Sequence, residues 1–272
     1  MGMSPKHIVK QSVNNVLSRF DLELIRRSSD ASNYIPFRST LAAAKKAGMN
    51  LGEFIDLKFN VPGSTQSTID AMAKAGVFHN SIKRVVEIGP GTGRYLEKVL
   101  ERSRPVSYEI YETAPDWRKR LQDLFTVVAH APDGQTLAQS ATGSADLVHA
   151  HKVFSSLRVS TAIHYLEEMA RVAADDGWVV FDVLTESCFS EEELKKWYAS
   201  GVSYANSMLP RQFLVNRLGE CGLHLVSEFF IPMLPGKTHY FIFRKGRIRP
   251  LKGNGRAVSA RGSRQTHSSR KK

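Results

Sequence analysis

The stretch VVEIGPGTGRYLEKVL, residues 85–100, constrains this chain more than any other. A β-branched apolar run ends at an acidic residue, three glycines follow at alternate positions (Gly89, Gly91 and Gly93), and helix-forming sequence begins directly after them. Glycine in that place lets a strand turn sharply into a helix and brings backbone close to a ligand that a Cβ would push away. Phosphate-binding versions of such a turn do not fit. A dinucleotide fingerprint needs its third glycine at position 94, where Arg94 stands, and a P-loop needs a Gly-Lys-Ser/Thr that is absent. What remains, EIGPGTG with Glu87 at the strand's end, suits a ligand that carries an adenosine and an ammonium but no phosphates.

From residue 81 to 245, short β-rich runs alternate with helical stretches, the pattern of a parallel sheet with crossover helices. Strands are predicted at RVVEI (84–88), VSYEIYE (106–112), FTVVAH (125–130), ADLVHAH (145–151), GWVVFDVL (177–184), HLVSEFFIP (224–232) and HYFIFRK (239–245). The last two are separated by MLPGKT alone, too short for a crossover helix, so they should form a hairpin. The fold class expected is α/β: a Rossmann-like, doubly wound, seven-stranded and mostly parallel sheet with a C-terminal antiparallel hairpin, plus an N-terminal helical cap. The domains are drawn at 1–80 for the cap, with periodic apolar positions at 7–25 and 38–57, at 81–245 for the sheet domain, and at 246–272 for a disordered basic tail.

The ordered set of features resembles the class I S-adenosylmethionine-dependent methyltransferases. It comprises the glycine loop, Glu112 closing the second strand in YEIYET, APDGQTL after the third, DLVHAHKVF at the fourth, and the terminal hairpin. The resemblance covers residues 81–245 and implies S-adenosylmethionine as cofactor. It also implies roles. Glu112 would accept hydrogen bonds from both ribose hydroxyls, Asp133 would read the adenine amino group, backbone near Gly134 would meet the ring, and Glu87 would order the loop and the cofactor's methionine end. Ser64, Thr65 and Gln66 could supply groups for the carboxylate or equally cap the following helix.

Methyl transfer is an in-line displacement, so the acceptor decides which side chains are needed. The Asp/Asn-Pro-Pro-aromatic pattern of enzymes that methylate nucleobase amines is missing after the fourth strand, and the setting of Cys188 in TESC argues against a cysteine nucleophile. A hydroxyl acceptor gains from a base poised near neutrality, a role that histidine fills best. His151, at the carboxyl end of the fourth strand, is the first base candidate; His149 lies two residues earlier on the same strand face. Asp182 and Glu186, near the end of the fifth strand, are alternative bases or acceptor ligands, and His239 reads as structural. Trp197, Tyr198 and Tyr204 follow in an unusually long connection and could wall an acceptor site or belong to the core. The function expected is therefore methylation of a hydroxyl on a small molecule or glycan, without a metal.

The formal charge of +12 looks like a nucleic-acid signal until it is mapped. Residues 246–272 hold nine Lys or Arg and no acidic residue, leaving 29 basic against 26 acidic residues elsewhere. Such a tail suits either simple solubilisation or a salt-sensitive arm for RNA, DNA or an anionic surface. An RNA or protein methyltransferase docking through that tail is the alternative function, and a non-catalytic S-adenosylmethionine-binding module is another. Cys188 and Cys221 form no metal spacing and read as free thiols. No apolar stretch approaches the roughly 20 residues that cross a bilayer, and the opening MGMSPKHIVK lacks a signal-peptide core, so a cytoplasmic address is expected.

Overall fold

The computed structural model describes residues 35–79, 81–200 and 207–246. The periodic stretch at 7–25 and the basic tail beyond residue 246 lie outside the described residues. Three helices lead into the sheet: α1 (Phe37–Lys46), α2 (Leu51–Phe59) and α3 (Ser64–Lys74). Asn50 caps α2 through its side-chain oxygen, which accepts from the Gly52 N–H at 2.7 Å. The first turn of α3 is held by Asp56 of α2, which accepts from the Thr65 N–H at 2.9 Å and from the Thr65 hydroxyl at 2.8 Å.

The sheet follows, with β1 (Arg84–Ile88), α4 (Arg94–Ser103), β2 (Ser107–Tyr111), α5 (Pro115–Leu124), β3 (Val128–His130) and β4 (Ala145–Ala150). After a single 3-10 turn at Phe154–Ser156 come α6 (Val159–Val172), β5 (Ala173–Val183), α7 (Glu191–Ser200), α8 (Arg211–Glu220), β6 (Leu223–Met233) and β7 (Gly236–Lys245). The strand order is β3-β2-β1-β4-β5-β7-β6. Pairs from β3 through β5 are parallel, while β7 runs antiparallel to both β5 and β6. This is the seven-stranded, mostly parallel sheet with a terminal hairpin that the sequence pattern predicts.

Both faces of the central strands are covered, which is why they read as nearly unbroken apolar runs. Val85, Leu147 and Val180 pack with Ile69 and Met72 of α3 and with Leu96 and Val99 of α4. Val86, Val148 and Val179 pack on the other face with Leu166 and Met169 of α6 and Leu214 and Leu218 of α8. The helix α3 is thus part of the sheet's own core.

Three strand boundaries differ from those expected. The strand β3 pairs over Val128–His130 only, as an edge strand bonded on one side. The strand β5 begins at Ala173, four residues before the expected start, and Ala173 pairs with Ala145 of β4 across a register shift. The hairpin is tighter than MLPGKT suggests: Met233 faces Gly236, leaving Leu234 and Pro235 as a two-residue connection.

Candidate active site

The carboxyl ends of β1, β2 and β4 open onto a cavity of about 530 Å³, the place where open α/β sheets hold ligands. Its first half is backbone. Gly89 donates its N–H to the Tyr111 carbonyl at 2.8 Å and adopts φ +61°, and a Cβ there would sit 2.7 Å from Val153 Cγ2. Gly93, at φ +84°, caps α4, and a Cβ there would lie 2.5 Å from Leu121. These two glycines are therefore required by packing as well as by a backbone conformation that side chains disfavour. Gly91 and Gly134 also border the cavity, and a Cβ on either would meet no protein atom closer than 4.0 Å, so their missing side chains leave open space for a ligand.

Glu112 lines this half and is 5% exposed. One carboxylate oxygen accepts from the Gly91 N–H and the other from the Ala114 N–H, both at 2.7 Å. Burial pushes its pKa up, against the pull of those two N–H groups. A carboxylate has about four lone-pair sites, so each oxygen retains one for a further donor.

The second half is built by β4 and the residue after it. His151 lines the cavity, 5% exposed, stacked on Tyr95 with ring centroids 3.9 Å apart. Neither of its ring nitrogens has a hydrogen-bond partner among the described residues. Burial, then the neighbouring His149, Arg94 and Lys152, hold its pKa well below the usual histidine value. Lys152 borders the same space at φ +60°, with its backbone N–H donating to Asp182 at 2.6 Å. Its Nζ has no hydrogen bond among the described residues and stands 3.8 Å from Asp182 Oδ2. Burial lowers its pKa to about 8. Arg94 completes the group from the first turn of α4, with its Nε unbonded among the described residues and 3.9 Å from Asp56. Asn60, with its amide oxygen turned to the guanidinium, accepts from both terminal nitrogens at 3.1 and 3.3 Å.

A family model for a methyltransferase domain matches residues 30–228, well over half of the chain. The chain is a class I S-adenosylmethionine-dependent methyltransferase. Among solved structures of this fold are an O-methyltransferase family protein from Burkholderia thailandensis (17% identity, 90% of this chain and 71% of that one, TM-score 0.53) and the N-methyltransferase NodS from Bradyrhizobium japonicum WM9 with S-adenosyl-L-homocysteine (15% identity, 76% and 98% covered, TM-score 0.51). A third is magnesium protoporphyrin IX methyltransferase from Synechocystis PCC 6803 with the same bound product (12% identity, 89% and 100% covered, TM-score 0.52). At these identities the likeness is one of fold. No curated protein matches the sequence.

The methyltransferase's cavity fits its cofactor on its own geometry: open space at Gly91 and Gly134, free lone pairs on Glu112 for two hydroxyls, and an unbonded guanidinium nitrogen on Arg94 for a carboxylate. Other residues singled out in the sequence lie elsewhere. Glu87 is 1% exposed behind the glycine loop and does not border the cavity; it accepts from the Tyr108 hydroxyl at 2.7 Å and carries a pKa raised by burial to about 8. His149 is fully buried, with Nε2 2.9 Å from the same hydroxyl and a pKa lowered by burial to about 3. Both are neutral at pH 7 and tie β1, β2 and β4 together. Asp182 is enclosed, its oxygens accepting from the Lys152 N–H and from the Thr238 hydroxyl at 2.7 Å.

Asp133 sits on an exposed loop with its carboxylate turned onto its own turn, accepting from the Gln135 and Thr136 N–H groups and the Thr136 hydroxyl. Glu186 accepts from the Arg211 N–H at 3.0 Å and so caps α8, outside the cavity. Trp197 stacks on Phe189 at 5.5 Å in a small cluster with Leu184 and Cys188, Tyr198 is 69% exposed, and Tyr204 lies outside the described residues. Ser64 and Thr65 bond Asp56, while Gln66 bonds Asp70 at the surface. His239 is enclosed beside Thr185 and Phe230. Cys188 is buried, its sulfur accepting from the Thr185 N–H. Among the described residues no helix is long and apolar enough to cross a membrane.

Sequence reasoning passed over Arg94 and Lys152. Arg94 carried a signal, since a cation in the first turn of a helix opposes the helix dipole. Lys152 sits one residue past His151, at the same ligand-binding end of the fourth strand.

Proposed function

We propose that this methyltransferase acts on a hydroxyl of a small molecule or glycan, with no metal in the transfer. The observation that carries the reading is His151: a neutral ring bordering the cavity with two unbonded nitrogens, one of which can accept a hydrogen bond from an acceptor's O–H. When bound, S-adenosylmethionine supplies an electrophilic methyl group. The chain's own part is to hold and orient. Glu112 would take the two ribose hydroxyls, the backbone at Gly89, Gly91 and Gly93 would lie along the cofactor, Gly134 would leave room for the adenine, and Arg94 would take the carboxylate. His151 would direct the acceptor oxygen. Asp182 would act through Lys152, by fixing its backbone, and not by touching the acceptor. Glu186 and Trp197, placed away from the cavity, have no part in this reading.

The test is an acceptor screen with purified full-length protein, S-adenosylmethionine and a panel of phenols, glycans and amines, with His151→Ala beside wild type. The reading expects methylated hydroxyls and a loss of roughly 10²-fold in turnover for the variant, from a misplaced acceptor oxygen, with cofactor affinity kept. Methylation confined to amines, or unchanged turnover in His151→Ala, would remove it.

A further inference from the structure

The acceptor half of the cavity has an unbalanced set of bonds. Its negative groups are satisfied: Asp56 accepts from Ser64 and Thr65, and Asp182 from the Lys152 N–H and Thr238. Its nitrogens are not, since Lys152 Nζ and both nitrogens of His151 are buried without a hydrogen bond among the described residues, Nζ standing 3.8 Å from Asp182 Oδ2. A buried donor without a partner is costly, and Lys152 Nζ lacks an acceptor at hydrogen-bond distance, while the neutral His151 ring offers one donor and one acceptor. The cavity is also bordered by Leu57, Phe59 and Leu234, which are 49%, 42% and 71% exposed. A cation within and apolar side chains exposed at the border suit an apolar molecule with one anionic oxygen.

We propose that the acceptor is an acidic hydroxyl, a phenol or enol on an apolar ring, and that Lys152 receives it as the oxyanion. This rests on the hydroxyl reading above and narrows it away from glycans. A sugar hydroxyl has a high pKa and needs a strong base in the site. His151 is not one, because a proton on its ring would add a third positive charge beside Arg94 and Lys152 in a buried space. An amine acceptor gains nothing from Lys152, which would repel its protonated form. An acidic hydroxyl needs only a cation. Its O–H bond breaks, the electron pair stays on oxygen, and the proton either goes to a neutral Lys152 amine or has already gone to solvent. In both cases an ammonium faces an oxyanion, and the only other reactant is the sulfonium donor, whose carbon–sulfur bond would break, its electron pair staying on sulfur, as the oxygen–carbon bond forms. Once the oxygen is methylated, the ammonium is free to return its proton to water.

The groups around Lys152 come from several elements: Asp182 on β5, Arg94 on α4, Asp56 on α2, Cys188 after β5, neighbouring His151, and the Tyr240 ring on β7 at 5.8 Å. None of the carboxylates among them has moved onto Nζ as a hydrogen-bond partner.

The probe is 7-hydroxycoumarin, whose phenol and phenolate absorb at different wavelengths, titrated against full-length protein saturated with S-adenosyl-L-homocysteine. Wild type should bind it as the phenolate, with its ionisation moved down by about one to three pH units. Lys152→Arg should keep that shift, and Lys152→Met and Lys152→Gln should lose it. Wild type that fails to bind the coumarin as phenolate, or a Lys152→Met or Lys152→Gln variant that keeps the shift, would overturn the proposal. Calorimetry with S-adenosyl-L-homocysteine on each protein separates the causes. Normal affinity with no phenolate shift in wild type sinks the Lys152 assignment alone, and no affinity in wild type sinks the cofactor placement beneath it.

Discussion

The two halves of the cavity differ in how their polar groups are treated. In the cofactor half the backbone has settled them: Glu112 is held by two N–H groups at 2.7 Å, and Gly89 is bonded to the Tyr111 carbonyl. In the acceptor half His151 and Lys152 present buried nitrogens with no hydrogen-bond partner among the described residues. A site that is fixed before the ligand arrives recognises a constant molecule, and one with unmet bonds is built for whatever meets them. The first is the expected condition for a cofactor and the second for a substrate.

The largest effect should come from Glu112→Ala, which would remove the proposed acceptor of both ribose hydroxyls and release the Gly91 N–H. Charge-assisted hydrogen bonds of this kind are each worth about 1.5–3 kcal/mol, so affinity for S-adenosyl-L-homocysteine should fall by roughly 10²-fold or more in calorimetry. A small loss would break the comparison by showing that the cofactor half is not organised around that carboxylate. Next is Gly89→Ala, whose Cβ would meet Val153 Cγ2 at 2.7 Å in a left-handed backbone. Denaturant unfolding should register a cost of about 1–3 kcal/mol.

These predictions rest on the half that the sequence makes legible. Three alternating glycines after a strand, and an acidic residue closing the next one, form a local pattern whose physical reason holds wherever it occurs. The seven strands, their mostly parallel sheet and the terminal hairpin were legible from apolar runs separated by helical spacing. The acceptor half was not. Lys152 takes its meaning from Asp182, thirty residues on, just as Arg94, on the cofactor side, takes its own from Asp56 on α2 and Asn60 at the end of that helix. Trp197 and Glu186 follow β5, which suggests an acceptor wall, yet one packs on Phe189 and the other caps α8. The path of a chain beyond a strand's end is set by tertiary packing and not by local spacing.

Glu87 sharpens the contrast because it belongs to neither half. Its pKa in the fold, about 8, lies above its ordinary value of 4.5, so the stability it contributes is complete below 4.5 and declines as pH rises through 8. His149 works in the opposite sense, with a folded pKa of about 3 against an ordinary 6.5, so its contribution is complete above 6.5. Between pH 6.5 and 8 the Glu87 decline should stand by itself of the two. Urea unfolding of Glu87→Gln should show a flatter profile across that window, with S-adenosyl-L-homocysteine affinity unchanged. Weakened affinity would instead place Glu87 within the cofactor half. The smallest effect is expected from Glu186→Ala, which removes a cap on α8 and touches neither half: about 0.5–1 kcal/mol of stability, and turnover within twofold of wild type.

The most direct measurement is a crystal structure with S-adenosyl-L-homocysteine bound. The account predicts the ribose on Glu112, the adenine beside Gly134 and the carboxylate on Arg94, with His151 and Lys152 still facing unfilled space. A ligand carboxylate bonded to Lys152, or a ribose away from Glu112, would merge the two halves into one and contradict it.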